Sequence, residues 1–332
     1  MSLYSRWIDR WERKLMSRDR NRLVRPFDYG LEWCGAPDLK AFVNQSLADS
    51  NLFFSYKKPA RFSIKKSHLS FVSPLVSPFT ENNTVHAAYF PAPENKNRKK
   101  RAVLVLPQWN AGADGHVSLC KLLNRFGISA LRLTLAYHDR RRPAGLERAE
   151  YHLSSNIGRT IHAARQSVID ARASLDWLET QGYQRLGILG TSLGSCIASI
   201  ATAHDSRVKA AVFNHVAMYF ADVVWTGLST QHVRQGFDGQ VTHADLRHYW
   251  SVISPGSYLH RFQNRDLRIL LIWARHDSSF LPVYSQQVLE SFRQLNLPHE
   301  VFCLPCGHYT TGRFPFNLMD GLAMCRFLAR SL

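Results

Sequence analysis

The residues best suited to chemistry are Gly190-Thr-Ser-Leu-Gly194, where a serine sits between two glycines at two-residue spacing. The run before it, Arg185-Leu-Gly-Ile-Leu-Gly190, reads as a buried strand, and Cys196-Ile-Ala-Ser-Ile-Ala after it reads as a helix of small residues. A strand breaking into a helix at a serine is a nucleophile elbow, and the glycines let the two elements approach closely enough to hold the strained turn. A serine hydroxyl is a poor nucleophile at neutral pH. The motif therefore implies catalysis only where a base, and an acid to orient it, reach the serine. Cys303-Leu-Pro-Cys306, with His308 two residues beyond, offers a second chemistry by its C-x-x-C spacing. It lacks the second pair that a closed zinc site needs, and Gly307 stands where c-type haem attachment needs histidine, so a strand running into a loop is the simpler reading.

Short apolar runs at 102–106, 128–135, 185–190, 208–215, 267–274 and 299–304 alternate with helical periodicities. Between the second and third, Ile161, Ala164, Val168, Ala171, Leu175 and Leu178 recur at three- and four-residue steps, which predicts a crossover helix over Arg159 to Gln181. This alternation predicts an α/β fold with a mostly parallel central sheet and helices on both faces. Turn signals at Ser73-Pro74 and Ser77-Pro78 place leading antiparallel strands in an N-terminal extension over 1–84, ahead of a catalytic domain over 85–332. At 332 residues and 45% hydrophobic, the chain can bury one large core.

No apolar run approaches the roughly 18 residues that cross a bilayer, and charges interrupt the N-terminus where a signal peptide needs an apolar block. A cytoplasmic enzyme is expected. The six cysteines are scattered, so buried thiols are expected rather than disulfides. The formal net charge of +17 favours anionic partners, and anionic lipid or an acidic substrate ranks ahead of nucleic acid, for which the chain carries no module signature. The densest basic cluster, Lys96, Arg98, Lys99, Lys100 and Arg101, precedes an apolar strand and reads as a solvated loop.

From about residue 85 to the C-terminus the chain resembles the α/β-hydrolase superfamily, with the elbow as its most specific motif. Leu267-Arg-Ile-Leu-Leu-Ile-Trp-Ala-Arg-His-Asp277 is similar to the late strand that ends in the family's triad acid, and His299 to His308 resembles its last strand and the loop bearing the general base. The resemblance implies Ser192 as nucleophile, Asp277 as acid and His308 as base, in the chain order this fold uses. Some members take the acid from the preceding strand, for which Asp222 is the alternative. The fold's oxyanion hole implies a main-chain N–H from Leu193 and a second from the loop Leu106-Pro-Gln-Trp-Asn-Ala111, where Trp109 aligns. That loop has Gln108 where the family often has glycine, so the Gln108 or Asn110 amide is an alternative donor or substrate contact.

Arg140 and Arg141, in the loop after the second strand, could grip a substrate carboxylate or phosphate, with a solvated loop as the competing reading. The insertion over about 217–266 carries Met218, Tyr219, Phe220, Trp225, Tyr249, Trp250 and Tyr258 and reads as a cap over an apolar acyl pocket, or else as aromatics binding that segment to the core. At the N-terminus Leu3, Tyr4, Trp7, Ile8, Trp11 and Leu15 share one helical face while Arg6, Arg10, Arg13 and Lys14 lie elsewhere. The stripe predicts packing on the core, with peripheral binding to an anionic membrane as the alternative. The combined reading is a serine hydrolase cleaving a small carboxylic ester without metal or cofactor. A thioesterase, a peptidase, a non-catalytic membrane-surface or partner-binding member and the oligomeric state are left open.

Overall fold

In the computed structural model, which describes residues 2–93 and 99–332, the strand runs assemble into one nine-stranded sheet in the order β1-β2-β3-β5-β4-β6-β7-β8-β9. Its strands are β1 (Ser63–Lys65), β2 (His68–Val72), β3 (Thr84–Phe90), β4 (Arg101–Leu106), β5 (Ser129–Leu133), β6 (Arg185–Thr191), β7 (Val208–Asn214), β8 (Arg268–Ala274) and β9 (Glu300–Leu304). β1, β2 and β3 pair antiparallel and join the sheet where Ala87 faces Leu133, while β5, β4 and β6 through β9 run parallel.

Helices packed on the sheet include α1 (Leu3–Met16), α2 (Val117–Arg125), α3 (Ile157–Thr180), α4 (Leu193–Ala203), α5 (Pro282–Gln294) and α6 (Phe316–Ser331). Side chains alternate across a strand, so neighbouring residues feed opposite layers. Leu104, Leu106, Ile188 and Phe213 pack against Ile161 and Val168 of α3, Ile197 of α4 and Phe292 of α5. Val103, Val105, Leu189 and Val212 face the other way, onto Leu123 of α2, Phe327 of α6 and Ile8 of α1. Double burial explains why the central strands read as unbroken apolar runs. The predicted crossover helix forms as α3, capped where the Asn156 side chain accepts from the Arg159 amide at 2.8 Å.

The chain passes from β4 to β5 on one side and then returns to β6 on the other. Such a reversal opens a crevice at the carboxyl ends of the strands, where ligands bind in this class of sheet. The elbow at the end of β6 and the 106–111 loop at the end of β4 both open there.

Two expectations are corrected by this packing. The aromatics of the 217–266 insertion do not line an acyl pocket: Phe220, Tyr249, Trp250 and Tyr258 are core residues, and Met218 and Trp225 pack against them. Tyr219 is covered by the Arg247 guanidinium, 3.7 Å from its ring centre. Arg141 is fully buried, donates to the carbonyls of Asn82 and Thr134, and ion-pairs with Asp170 of α3 at 2.8 Å. A buried guanidinium needs such a partner, which leaves it no role at the substrate. Arg140 is exposed and, like Arg141, does not border the large cavity described below. Of the basic cluster before β4, Lys96 and Arg98 lie outside the described residues.

Candidate active site

Ser192 occupies a sharp turn with φ 56° and ψ −122°, a conformation that is costly for a residue with a side chain. Its flanking glycines are sterically required. A Cβ on Gly190 would lie 2.2 Å from the Gly194 carbonyl oxygen, and one on Gly194 would lie 2.2 Å from that of Leu106. The strain is held by the Ser192 amide, which donates to the Asn214 carbonyl at 2.8 Å, and by Ser195 Oγ, 2.6 Å from the Ser192 carbonyl.

His308, in the loop after β9, reaches this turn. Its Nε2 lies 3.1 Å from Ser192 Oγ, and its Nδ1 lies 3.0 Å from Oδ2 of Asp277, in the loop after β8. Phe280 stacks on the imidazole at 5.3 Å. Asp277 is itself oriented, since its Oδ1 accepts the amides of Ser279 and Phe280 at 2.8 and 2.7 Å. Burial alone would raise the Asp277 pKa, but the charge of His308, the close approach of the His215 imidazole and the hydrogen bond from His308 hold it well below the usual carboxylate range. Burial likewise lowers His308, yet the Asp277 charge and hydrogen bond, with a smaller push from Glu12, raise it above its ordinary value.

Asp222, the alternative acid, is spatially elsewhere, accepting from His243 Nε2 at 2.9 Å beside Arg247. Sequence reasoning missed His215, whose Nδ1 lies 2.8 Å from the same Asp277 Oδ2. Its signal was positional, as the first residue past β7 on the carboxyl edge of the sheet. The donor atoms of His215, Asp277 and His308 lie within 4.8 Å of one another. Both ring nitrogens of His308 already have hydrogen-bond partners, an arrangement that favours proton transfer over metal ligation.

Ser192 and His308 open into a cavity of about 730 Å³. Its lining includes Gln108, Trp109, Asn110, Arg148 and Asp19, together with Leu119, Leu122, Leu318, Gly321 and Met324 from α2 and α6. From the 217–266 insertion only Ser229 takes part in that lining. Among the described residues, the main-chain N–H groups of Trp109 and Leu193 make no hydrogen bond to protein. Asn110, at φ 60°, is committed to shaping the loop, because its Oδ1 accepts the Ala149 amide at 2.7 Å while Trp109 Nε1 donates to the Ala149 carbonyl at 3.0 Å. Gln108 Oε1 is buried without a partner. Asp320 on α6 also borders the cavity, where burial outweighs the hydrogen bond from Asn214 and raises its pKa to about 7.

The C-x-x-C pair forms no joint site with His308. Cys303 lies within β9, one residue before its end, and Cys306 is a buried thiol 3.3 Å from Thr311 Oγ1, pushed up to about 12 by burial.

The model of the family described as alpha/beta hydrolase domain containing 18 matches residues 63–234, more than half of the chain. The chain belongs to this α/β-hydrolase family. The matched span includes Trp109 and the elbow, while Asp277 and His308 lie beyond it. Comparison with curated proteins finds no match.

Among solved structures, this family member is similar in fold to an acetyl xylan esterase from Thermoanaerobacterium sp. JW/SL YS485, at 14% identity and a TM-score of 0.63 over 96% of this chain and 98% of that one. An acetyl xylan esterase from Paenibacillus sp. R4 aligns at 15% identity and a TM-score of 0.62, over 96% and 99% of the two chains. The Pyrococcus horikoshii acylaminoacyl peptidase aligns at 14% identity and a TM-score of 0.60 over 86% of this chain, which spans only 44% of the peptidase. No helix among the described residues is long and apolar enough to cross a membrane.

Proposed function

We propose that this chain is a serine hydrolase that cleaves carboxylic esters through a covalent acyl-enzyme. The observation that carries the reading is His308 bridging Ser192 Oγ and Asp277 Oδ2 at 3.1 and 3.0 Å, beside a cavity that borders the serine. His308 Nε2 takes the Ser192 proton as Oγ attacks the ester carbonyl, and Asp277 steadies the resulting imidazolium. The carbonyl oxygen becomes an oxyanion that the unused N–H groups of Leu193 and Trp109 receive. His308 then protonates the departing alcohol, and a water activated by the same imidazole releases the acid and frees Ser192. The acyl part fits against Leu119, Leu122 and Met324 of the cavity lining. Alignment over nearly whole chains with two esterases, against half a chain for the peptidase, supports ester over peptide.

The direct test is labelling of purified protein with a fluorophosphonate probe, followed by peptide mapping. The expected adduct is on Ser192. Absence of labelling, or an adduct elsewhere, overturns the mechanism.

A second reading, peripheral binding to an anionic membrane, is favoured by how α1 divides its apolar stripe. Ile8 and Leu15 are buried, whereas Leu3, Tyr4 and Trp7 remain 78%, 42% and 52% exposed. The Trp11 ring lies 6.5 Å from Phe316, whose neighbours Phe314 and Leu318 are also exposed, and Leu318 borders the cavity. Arginines on α1 would add about 1 kcal/mol each near anionic lipid. Co-sedimentation with phosphatidylglycerol vesicles is expected for the wild type and reduced at least about tenfold in Leu3→Ala/Trp7→Ala, which removes exposed apolar area without touching Ile8 or Leu15. Equal sedimentation of the two proteins would remove this reading.

A further inference from the structure

The packing face of α1 is apolar except at one position: its buried residues are Ile8, Glu12 and Leu15, and Glu12 is fully buried. A carboxylate is tolerated there only if its oxygens are well partnered. Glu12 Oε1 accepts the Thr310 amide at 2.7 Å, and Oε2 accepts the Tyr309 amide at 3.1 Å and Ser278 Oγ at 3.0 Å. Tyr309 and Thr310 directly follow His308, and Ser278 directly follows Asp277. One side chain thus ties together the two loops that carry the base and the acid. The approach is close enough that a Cβ on Gly307 would lie 2.4 Å from Glu12 Cδ. The same helix touches these loops twice more, through the Tyr4 hydroxyl on the Pro305 carbonyl and through Ser5 Oγ, 3.4 Å from His276 Nδ1.

We propose that Glu12 is a positioning residue, clamping the loops after β8 and β9 so that His308 stays in register with Ser192, and that α1 is therefore part of the working active site. This rests on the serine-hydrolase reading above. The physical cause is that two consecutive loop amides have no other acceptor among the described residues. Without Glu12 the loop must turn them towards water, which displaces the imidazole between them and Ser192. A general base works only within hydrogen-bond reach, and a shift of about 1 Å at such a centre costs on the order of 100-fold.

The charge of Glu12 provides an independent readout. The ionisable groups facing His308 are Asp277 from the loop after β8, His215 from the end of β7, Glu12 from α1 and the adjacent Tyr309. Of these, Asp277 and then Glu12 raise the imidazole, against the lowering effect of burial. Loss of Glu12 should therefore move the acid limb of kcat/KM to lower pH.

The experiment compares wild type, Glu12→Gln, Glu12→Asp and, on the same helix, Asp9→Asn, whose carboxylate pairs with Arg13 alone among the described residues. Ester turnover is expressed per fluorophosphonate-titrated site, so molecules that fail to fold are not counted. Glu12→Gln is expected to lower kcat by about 10- to 100-fold with KM within about twofold, and to shift the acid limb downward. Glu12→Asp keeps the charge and should hold the limb near its wild-type position, while Asp9→Asn should change neither quantity. An unchanged kcat per site and an unchanged limb in Glu12→Gln, with only fewer titratable sites, would overturn the proposal in favour of simple packing. Failure of the wild type itself to titrate at Ser192 would overturn the hydrolase reading, and this inference with it.

Discussion

Ser192→Ala is expected to fold normally and to lose ester hydrolysis by about 10⁴-fold or more, measured as p-nitrophenyl acetate turnover by purified protein. The loss is large because Oγ is the proposed attacking atom and, among the described residues, His308 Nε2 meets no other hydroxyl. What remains would come from the cavity and the unused N–H groups alone. Folding should persist because the bonds that hold the turn involve main-chain atoms of Ser192, its amide to Asn214 and its carbonyl from Ser195 Oγ. Alanine also meets the same backbone strain as serine, since both carry a Cβ. Equal turnover by mutant and wild type would show that Ser192 is not the nucleophile.

Asp277→Asn should lower kcat by about 10⁴-fold, because an amide in place of Oδ2 disfavours the tautomer that leaves Nε2 free to accept the serine proton. The pH profile supplies the sign. Burial lowers the His308 pKa, but Asp277, with a smaller push from Glu12, more than reverses this, so the wild-type imidazole stays protonated to a pH above its ordinary value. The neutral form is the base, so kcat/KM should rise with pH through that elevated pKa. Loss of the Asp277 charge should then move the acid limb downward. Asp222→Asn, which alters a pair with His243 and Arg247, should stay within about twofold of wild type. A larger loss in Asp222→Asn than in Asp277→Asn would transfer the acid to Asp222.

The most legible parts of the sequence were those governed by local sterics and periodicity. Gly190 and Gly194 announce the elbow because no side chain fits where β6, the start of α4 and the end of β4 meet. The central strands were visible because burial on both faces leaves no room for polar alternation, and α3 was visible because its apolar residues recur at helical spacing. Asp277 and His308 were located only through the resemblance, since nothing in their immediate neighbours separates them from other acids and histidines of the chain.

The remainder depended on which groups burial brings together across long sequence separations. Arg141 reads in the sequence as a solvated loop residue or a substrate anchor, but Asp170 on α3 draws it into the core, while Arg148, which the residues did not single out, borders the cavity with its guanidinium 5.4 Å over the Trp109 ring. The aromatics of the 217–266 insertion have the composition of a pocket lining, yet they fill the core, and α2 and α6 supply apolar lining residues instead. Glu12 lies within an apolar stripe that predicts packing, and its meaning comes from the two loops it meets near the far end of the chain. Sequence by itself determined the elbow, the sheet and the main crossover helix, because backbone sterics and side-chain periodicity act between near neighbours. Tertiary structure alone decided which charges are neutralised and which side chains face the cavity, because desolvation and ion pairing depend on distances in space that residue order does not encode.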